Sequence, residues 1–384
     1  MFYRKFGRHD IKVSNLGFGC MRFPLEEGAL PQDSDRINEN EAIRMLRYAI
    51  DNGVNYVDTA YMYHKGLSEG LVAKALKDGY RKRVFLADKL PVWLVKEPAD
   101  FDRLLNEQLE RLETDHIDMY LLHALNKRYW KICQEHGALE FLERALADGL
   151  IRYAGFSYHD GPELFREIVD AYPWSFCQIQ YNYLDENNQA GRGGLEYAAE
   201  SGLAVVVMEP LLGGKLADLQ PPEVQAIFDQ AGFRRTPAQW ALRWVWNHRE
   251  VTTVLSGMST FAQVEENVET ARLAYPGSLG PVELATLEAA RNKYLEKLAV
   301  PCTQCNYCLP CDAKGINIPQ LFELYNQVAL FGGKEEALNY YQRLAENQRD
   351  ASCCVHCGLC EVKCPQGIEI PSVLKRVQAF FGDN

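Results

Sequence analysis

Short runs rich in β-branched residues alternate with helical patterns along most of this chain, and this alternation restricts the fold more than any other feature. Between the runs, apolar residues recur at helical spacing, as at Ile43, Leu46 and Ile50. Eight strand–helix units predict a parallel sheet closed into a (β/α)8 TIM barrel. The runs with strand character are residues 16–19, 54–58, 83–89, 117–123, 153–157, 176–182, 204–209 and 251–257.

An open, doubly wound sheet is the alternative. It is disfavoured because no G-x-G-x-x-G stretch follows the first run. The opening "RKFGRHDIKVS" predicts a small hairpin across the bottom of the barrel.

Charge and hydrophobicity exclude several classes of function. A net charge of −11 argues against nucleic acid and against anionic membrane surfaces as partners. No apolar run approaches the ~20 residues that cross a bilayer. The basic opening residues are not followed by an apolar stretch, so they do not form a secretory signal. We expect a cytoplasmic protein, in which structural disulfides are rare.

Four titratable residues follow three consecutive strands of the predicted barrel. Asp58, Lys89 and His123 close the second, third and fourth runs, and Tyr63 lies in the loop after Asp58. Chemistry in such barrels sits at the C-terminal strand ends. An ammonium beside a phenol lowers its pKa, so Lys89, aligned by Asp58, is expected to make Tyr63 a better proton donor, while His123 polarises a substrate oxygen. Each residue alone could be structural; their joint placement favours a shared site.

Here the sequence resembles the aldo-keto reductase family, over roughly residues 1–275. The resemblance implies a TIM barrel, NAD(P)H bound without a Rossmann domain, a small carbonyl or alcohol substrate, and a tetrad of Asp58, Tyr63, Lys89 and His123 with Tyr63 as general acid. The matching stretches are "KFGRHDIKVSNLGFG", "NYVDTAYMYHKGLSE", "LADK", "DMYLLH", "GFS", "QIQYN", "EPLLGGKL" and "VLSGMSTFAQVEENV".

The same resemblance implies cofactor contacts. Ser157 and Gln180 match positions that hold the nicotinamide carboxamide, although Tyr158 replaces the usual Asn after the serine. Met208 stands near a position where an aromatic residue often stacks. The remaining matches, along the rest of the dinucleotide, are Pro210, Leu211, Ser256, Gly257, Ser259, Gln263, Glu266 and Asn267.

Gly257 and Gln263 occupy slots where many members place a cation against a 2′-phosphate. Without a charged partner a phosphate dianion is poorly recognised, so the sequence does not support a strict NADP preference. Use of NAD, of both dinucleotides, or weak binding all remain open.

Nine of the 12 cysteines fall in the last 83 residues, in two copies of one pattern. Each copy has three thiols at C-x2-C-x2-C spacing followed by G-I-x-I-P, and the second continues to Cys364-Pro365. Structural zinc is the alternative, but zinc sites pair C-x2-C units and need fewer thiols. Cys353 has no assigned role, and Cys20, Cys133 and Cys177 are expected to be packing residues.

This part resembles a two-cluster 4Fe–4S ferredoxin domain, over about residues 298–372. In such ferredoxins the fourth cysteine serves the other copy's cluster. The resemblance thus implies two 4Fe–4S clusters, the second with Cys311 as fourth ligand although it comes one residue early in its copy. The ligand sets are Cys302, Cys305, Cys308 and Cys364, and Cys354, Cys357, Cys360 and Cys311.

We therefore expect a TIM barrel at residues 1–297, including a linking helix, and a small α-rich ferredoxin-like iron–sulfur domain at 298–384. The predicted function is an NAD(P)-dependent oxidoreductase that reduces an aldehyde or ketone, or runs the reverse reaction. Its clusters would transfer electrons, couple it to a redox partner protein, or be structural. The alternative is an electron-transfer or partner-docking protein whose barrel is mainly a scaffold.

Overall fold

The computed structural model describes residues 1–29, 33–217, 220–302, 308–311, 315–364 and 366–382. Eight of the strands in these residues close into a parallel barrel, in the order β10-β3-β4-β5-β6-β7-β8-β9, and the other two form a separate antiparallel hairpin. The predicted TIM barrel is confirmed. The strands are β1 Tyr3–Lys5, β2 Lys12–Ser14, β3 Leu16–Gly19, β4 Tyr56–Asp58, β5 Phe85–Leu90, β6 Ile117–Leu125, β7 Ile151–Tyr158, β8 Phe176–Gln180, β9 Ala204–Met208 and β10 Val251–Ser256.

The α-helices are α1 Glu39–Asp51, α2 Ser68–Ala75, α3 Ala99–Arg111, α4 Lys127–His136, α5 Ala138–Ala147, α6 Pro162–Ala171, α7 Gly191–Glu200, α8 Pro222–Gln230, α9 Pro237–Trp246, α10 Phe261–Arg272, α11 Pro281–Glu296, α12 Ile318–Phe331, α13 Lys334–Glu346 and α14 Ile370–Gly382.

The β1–β2 hairpin packs its apolar side chains into the barrel interior. Phe6 and Val13 are fully buried in one cluster with side chains from the barrel strands. The Arg4 guanidinium donates to the carbonyls of Trp246, His248 and Val251. These contacts join the first strand to residues almost 250 positions later. The barrel partners in the cluster are Tyr56, Ala87, Met119, Leu121, Phe176, Ala204, Val206 and Leu255.

Two compact units are distinguished by their internal contacts. The first contains residues 1–213 and 238–280, which include all eight barrel strands. The second contains 214–237 and 281–384, so it takes in α11, which the sequence analysis had grouped with the barrel. The expected domain boundary near residue 298 stays a prediction.

The second unit is built from helices around an apolar core. Ile316, Ile318, Ile368 and Ile370 of the two G-I-x-I-P repeats are buried in one cluster, which α12 and α14 complete with Leu321, Phe322, Val373, Leu374, Val377 and Phe381. Residues 214–237 join it through Glu223, which pairs with Lys297 at 2.8 Å. Among the helices of the described residues, none is long and apolar enough to span a bilayer.

Two glycines of the barrel unit give opposite stability predictions. A Cβ at Gly155 on β7 would lie 2.6 Å from the Phe176 ring, whereas a Cβ at Gly70 in α2 would meet no atom within 4 Å. We expect Gly155→Ala to lower the free energy of unfolding by about 1–3 kcal/mol through overpacking. Gly70→Ala should raise it by about 0.5–1 kcal/mol through helix propensity. Thermal unfolding followed by circular dichroism measures both shifts, and an unchanged melting temperature for Gly155→Ala would contradict this packing.

Candidate active site

The parallel register brings the predicted tetrad to one end of the barrel. Asp58 is the last residue of β4, Lys89 lies in β5 and His123 in β6. Asp58 pairs with Ala87, and Lys89 with Leu121, on the neighbouring strands. Tyr63 begins a short 3-10 turn five residues after Asp58. All four predicted residues are therefore close together.

The Lys89 ammonium is the centre of the group. Its Nζ donates to Asp58 Oδ1 at 2.6 Å, to the Thr59 carbonyl at 2.7 Å and to Tyr63 Oη at 3.1 Å. Lys89 is 1% exposed and Asp58 2%. A buried charge is tolerated when it is paired and its donors are satisfied, and three acceptors match the three ammonium hydrogens.

The pKa values in this group follow from burial and from the ion pair. Burial alone lowers the pKa of Lys89, but the Asp58 carboxylate and the Tyr63 phenol outweigh it, so that pKa lies above its ordinary value. Lys89 is therefore protonated at neutral pH.

The phenol differs from the sequence prediction. Burial raises the pKa of Tyr63, and the Lys89 ammonium offsets this only in part, so the net shift is upward. The expectation that Lys89 lowers this pKa below its ordinary value is wrong for the described site. Desolvation of the phenolate is the stronger effect, and the phenol keeps its proton at neutral pH.

His123 lies next to the phenol in an aromatic surrounding. Its ring is 6.3 Å from that of Tyr63 and 5.1 Å from that of Trp93, centroid to centroid. Burial, with Lys89 and His159 nearby, holds the pKa of His123 well below its usual value. The imidazole is therefore neutral, and its Nδ1 is buried without a hydrogen-bond partner in the described part of the chain.

The predicted carboxamide contacts lie at the ends of the next strands. Ser157, near the end of β7, accepts from the Ala124 amide at 2.7 Å through Oγ, which leaves its hydroxyl proton for another acceptor. Gln180 at the end of β8 is already engaged, since its Oε1 accepts from Gln189 at 3.1 Å and its Nε2 donates to Asp185 at 3.3 Å. Tyr158 donates its hydroxyl to the Gly161 carbonyl.

Gln178 was missed by the sequence analysis. Its Nε2 lies 3.5 Å from the sulfur of Met208 at the end of β9, and its Oε1 is buried without a partner in the described residues. The signal available in the sequence was the period of two along β8, which puts Phe176, Gln178 and Gln180 on one face.

Most of the other predicted dinucleotide contacts lie between the end of β10 and the first turns of α10. Ser256 Oγ accepts from Asn267 at 3.0 Å. Gln263 Oε1 accepts from the Ser259 amide at 2.8 Å and completes a capping box with Thr260. The side chain of Gln263 is thus used by the helix cap. Glu266 is half-buried one turn further along α10, and Pro210 and Leu211 follow β9.

A second residue that the sequence analysis missed is Arg22. A Cβ at Gly257 would lie 3.2 Å from Arg22 Cδ, so the arginine stem covers this glycine. The Ser259 hydroxyl donates to the Arg22 carbonyl at 3.0 Å. The guanidinium extends toward the residues after β9, since a Cβ at Gly213 would lie 3.2 Å from Arg22 Nη2.

In the second unit, the cysteines cluster along the apolar core. Cys302, Cys308, Cys311, Cys353, Cys354, Cys360 and Cys364 pack against it, and Cys357 is exposed. Burial raises the pKa of Cys360, and the nearby thiols Cys354, Cys311 and Cys357 raise it further. The predicted ligands of the second cluster are therefore neighbours, including the displaced Cys311.

Cys305 of the other predicted set lies outside the described residues. Within the described ranges, no three His, Cys, Asp or Glu side chains are arranged as a bound metal ion requires.

Cys353 donates to Asp350 Oδ1 at 3.5 Å. Cys20, Cys133 and Cys177 are buried.

Comparisons with known proteins agree with both parts of the chain. The model of the aldo/keto reductase family matches residues 15–277, and that of a 4Fe-4S dicluster domain matches residues 301–369. The chain is 27% identical over 287 residues to an L-galactose dehydrogenase from Arabidopsis thaliana. This match covers 69% of this chain and 86% of the relative. It is 30% identical over 238 residues to an uncharacterized oxidoreductase from Bacillus subtilis (strain 168), covering 56% and 68%.

A solved structure is also similar: the holo form of an aldo-keto reductase from Bacillus halodurans has a TM-score of 0.62 and 28% identity, covering 76% of this chain and 96% of that one. The closed barrel, the strand-end residues and these matches together show that the chain belongs to the aldo/keto reductase family, and that it is an oxidoreductase carrying a 4Fe-4S dicluster domain after its barrel.

Proposed function

We propose that this protein interconverts an aldehyde or ketone with its alcohol, with a nicotinamide dinucleotide as hydride carrier and Tyr63 as the proton donor in reduction. The observation that supports this most is the contact between the Lys89 ammonium and Tyr63 Oη, backed by the buried Asp58 carboxylate. A small carbonyl substrate is the class that such a site serves.

The residues divide the work of proton transfer. Tyr63 is protonated at neutral pH and can give its proton to the carbonyl oxygen as the carbon receives hydride. Lys89 then stabilises the phenolate that forms, because its ammonium already donates to that oxygen. Asp58 and the Thr59 carbonyl hold the ammonium in place. The neutral His123 can donate or accept a hydrogen bond at the same substrate oxygen.

The barrel residues fit a nicotinamide group. Ser157 retains a hydroxyl proton, and the buried Gln178 Oε1 lacks a partner in the described residues, so a carboxamide could satisfy both. When bound, the dinucleotide supplies hydride. Arg22, whose stem covers Gly257 and whose guanidinium lies near Gly213, would hold a phosphate together with the amide end of α10. We therefore propose NAD(P)H as cofactor, with Ser256, Ser259 and Asn267 near its phosphates and adenosine.

The thiol-rich unit fits iron–sulfur chemistry. Thiolates are the ligands of such clusters, and Cys360 lies near enough to Cys311, Cys354 and Cys357 to interact with them electrostatically, which supports a shared cluster for these four. We propose two 4Fe–4S clusters, the other held by Cys302, Cys305, Cys308 and Cys364. They would exchange single electrons with a redox partner protein. A cytoplasmic location, without nucleic acid or membrane as partner, remains part of the proposal.

The first test is removal of the phenol hydroxyl. Tyr63→Phe should lower kcat for NADPH- or NADH-dependent aldehyde reduction by roughly 10²–10⁴-fold, because the proton donor is lost. Tyr61→Phe is the matched control, since its hydroxyl donates to Glu107 at 2.8 Å, and it should keep wild-type kcat. Equal turnover in wild type and Tyr63→Phe would instead favour a barrel that is mainly a scaffold for electron transfer.

The pH dependence of reduction follows from the pKa of Tyr63. Because that pKa is raised, the phenol stays protonated, and kcat should be flat from about pH 7 to about pH 10 before it falls. His123 adds no acid limb in this range because its pKa is lowered. Steady-state rates across this range measure the profile. A loss of reduction activity on raising the pH from about 7 to about 8 would contradict it.

Iron content tests the cluster assignment. In anaerobically purified protein, Cys360→Ser should remove about half of the iron and acid-labile sulfide, because one of two clusters loses a ligand. Cys133→Ser, at a buried thiol of the barrel unit, should leave both unchanged. Iron and sulfide analysis, together with the visible absorption bands of the clusters, provide the readout. Colourless wild-type protein containing zinc would refute the iron–sulfur proposal.

A further inference from the structure

The three residues after Tyr63 have an unusual backbone. His64 has φ 52° and ψ 44°, Lys65 has φ 55° and ψ 31°, and Gly66 has φ 90°. Left-handed backbone is unfavourable for a residue other than glycine, because its Cβ crowds the following carbonyl oxygen. Two such residues in succession persist only when other contacts hold them. Both directly follow the proposed proton donor.

The ring of His64 supplies such contacts through both of its nitrogens. Nδ1 lies 2.5 Å from the Ser34 carbonyl and donates to it. Nε2 accepts from the Phe23 amide at 3.1 Å. The two partners fix one neutral tautomer, because a carbonyl can only accept and a backbone amide can only donate. The side chain is buried, and its ring also lies 5.4 Å from that of Phe23.

The residue before Phe23 contacts two positions that are proposed to bind the cofactor. The carbonyl of Arg22, the residue before Phe23, accepts from the Ser259 hydroxyl at 3.0 Å. The stem of Arg22 covers Gly257. His64 therefore connects the turn that carries Tyr63 to the segment beside Ser259 and Gly257.

Lys65 differs from its neighbour although its backbone is equally left-handed. Its Nζ pairs with Asp35 Oδ1 at 2.7 Å, and both side chains are about half exposed, at 57% and 45%. Such an exposed pair is screened by solvent and contributes little to stability. The buried imidazole, and not this pair, is the contact that can hold the turn.

We infer that His64 is a positioning residue for Tyr63: its imidazole holds the left-handed turn and aligns the phenol with the segment next to the cofactor. This inference rests on the proposed function, in which Tyr63 donates the proton. His64 touches neither Tyr63 Oη nor Lys89 in the described contacts, so it acts through the backbone. Small displacements of a reacting group reduce turnover strongly, which makes such a hold relevant to catalysis.

The test uses glycine substitutions, which relieve the left-handed backbone while removing a side chain. His64→Gly should lower kcat roughly 10- to 100-fold, with KM for the aldehyde within about twofold, because alignment and not binding is lost. Lys65→Gly is the matched control at the next left-handed position and should keep kcat within about twofold. His64→Gln carries one donor and one acceptor and should recover part of the lost rate.

A second readout does not depend on turnover. Hydrogen exchange at the Phe23 amide should quicken at least about tenfold in His64→Gly and stay unchanged in Lys65→Gly, because only the former loses an acceptor for that amide. If Tyr63→Phe is inactive but His64→Gly has wild-type kcat, the positioning role is refuted while the proposed function stands. If Tyr63→Phe is fully active, the proposed function fails, and the positioning role fails with it even where exchange quickens.

Discussion

The candidate site depends on one buried ion pair, between Lys89 and Asp58. An ammonium removed from water requires compensation for each of its hydrogens, and it has three acceptors: a carboxylate, a backbone carbonyl and a phenol. Two of these come from β4 and the residue after it, and the third from the following turn. The pair is therefore possible only where β4 and β5 run parallel in register, as they do in the closed barrel.

The ion pair also determines what the phenol can do. Burial favours the neutral phenol and the ammonium favours the phenolate, and the first effect is larger in the free site. Tyr63 thus holds its proton until charge develops on a substrate oxygen. Lys89 is then already hydrogen-bonded to the oxygen that becomes negative, so no reorganisation is needed when the proton leaves. A protonated acid with a prepared cation suits carbonyl reduction better than a phenol that is ionised beforehand.

Much of the barrel could be predicted from the sequence because its signals are local. The eight β-branched runs, the hairpin and the strand-end positions of Asp58, Lys89 and His123 are readable from periodicity and turn residues alone. The direction of the Tyr63 pKa shift was not, since it depends on burial by residues distant in sequence. Arg22 beside Gly257, and His64 bonded to Phe23 41 residues away, are likewise long-range contacts without a sequence pattern. The grouping of residues 214–237 with the second unit is of the same kind.

In the proposed site the phenol of Tyr63 stays neutral beside the Lys89 ammonium. Ultraviolet difference titration of wild type against Tyr63→Phe isolates the tyrosinate signal of this one residue among 20 tyrosines. We expect the difference band to appear only above about pH 10, the ordinary range of a phenol. A difference band that is complete by about pH 8 would show an ionised phenol and contradict it.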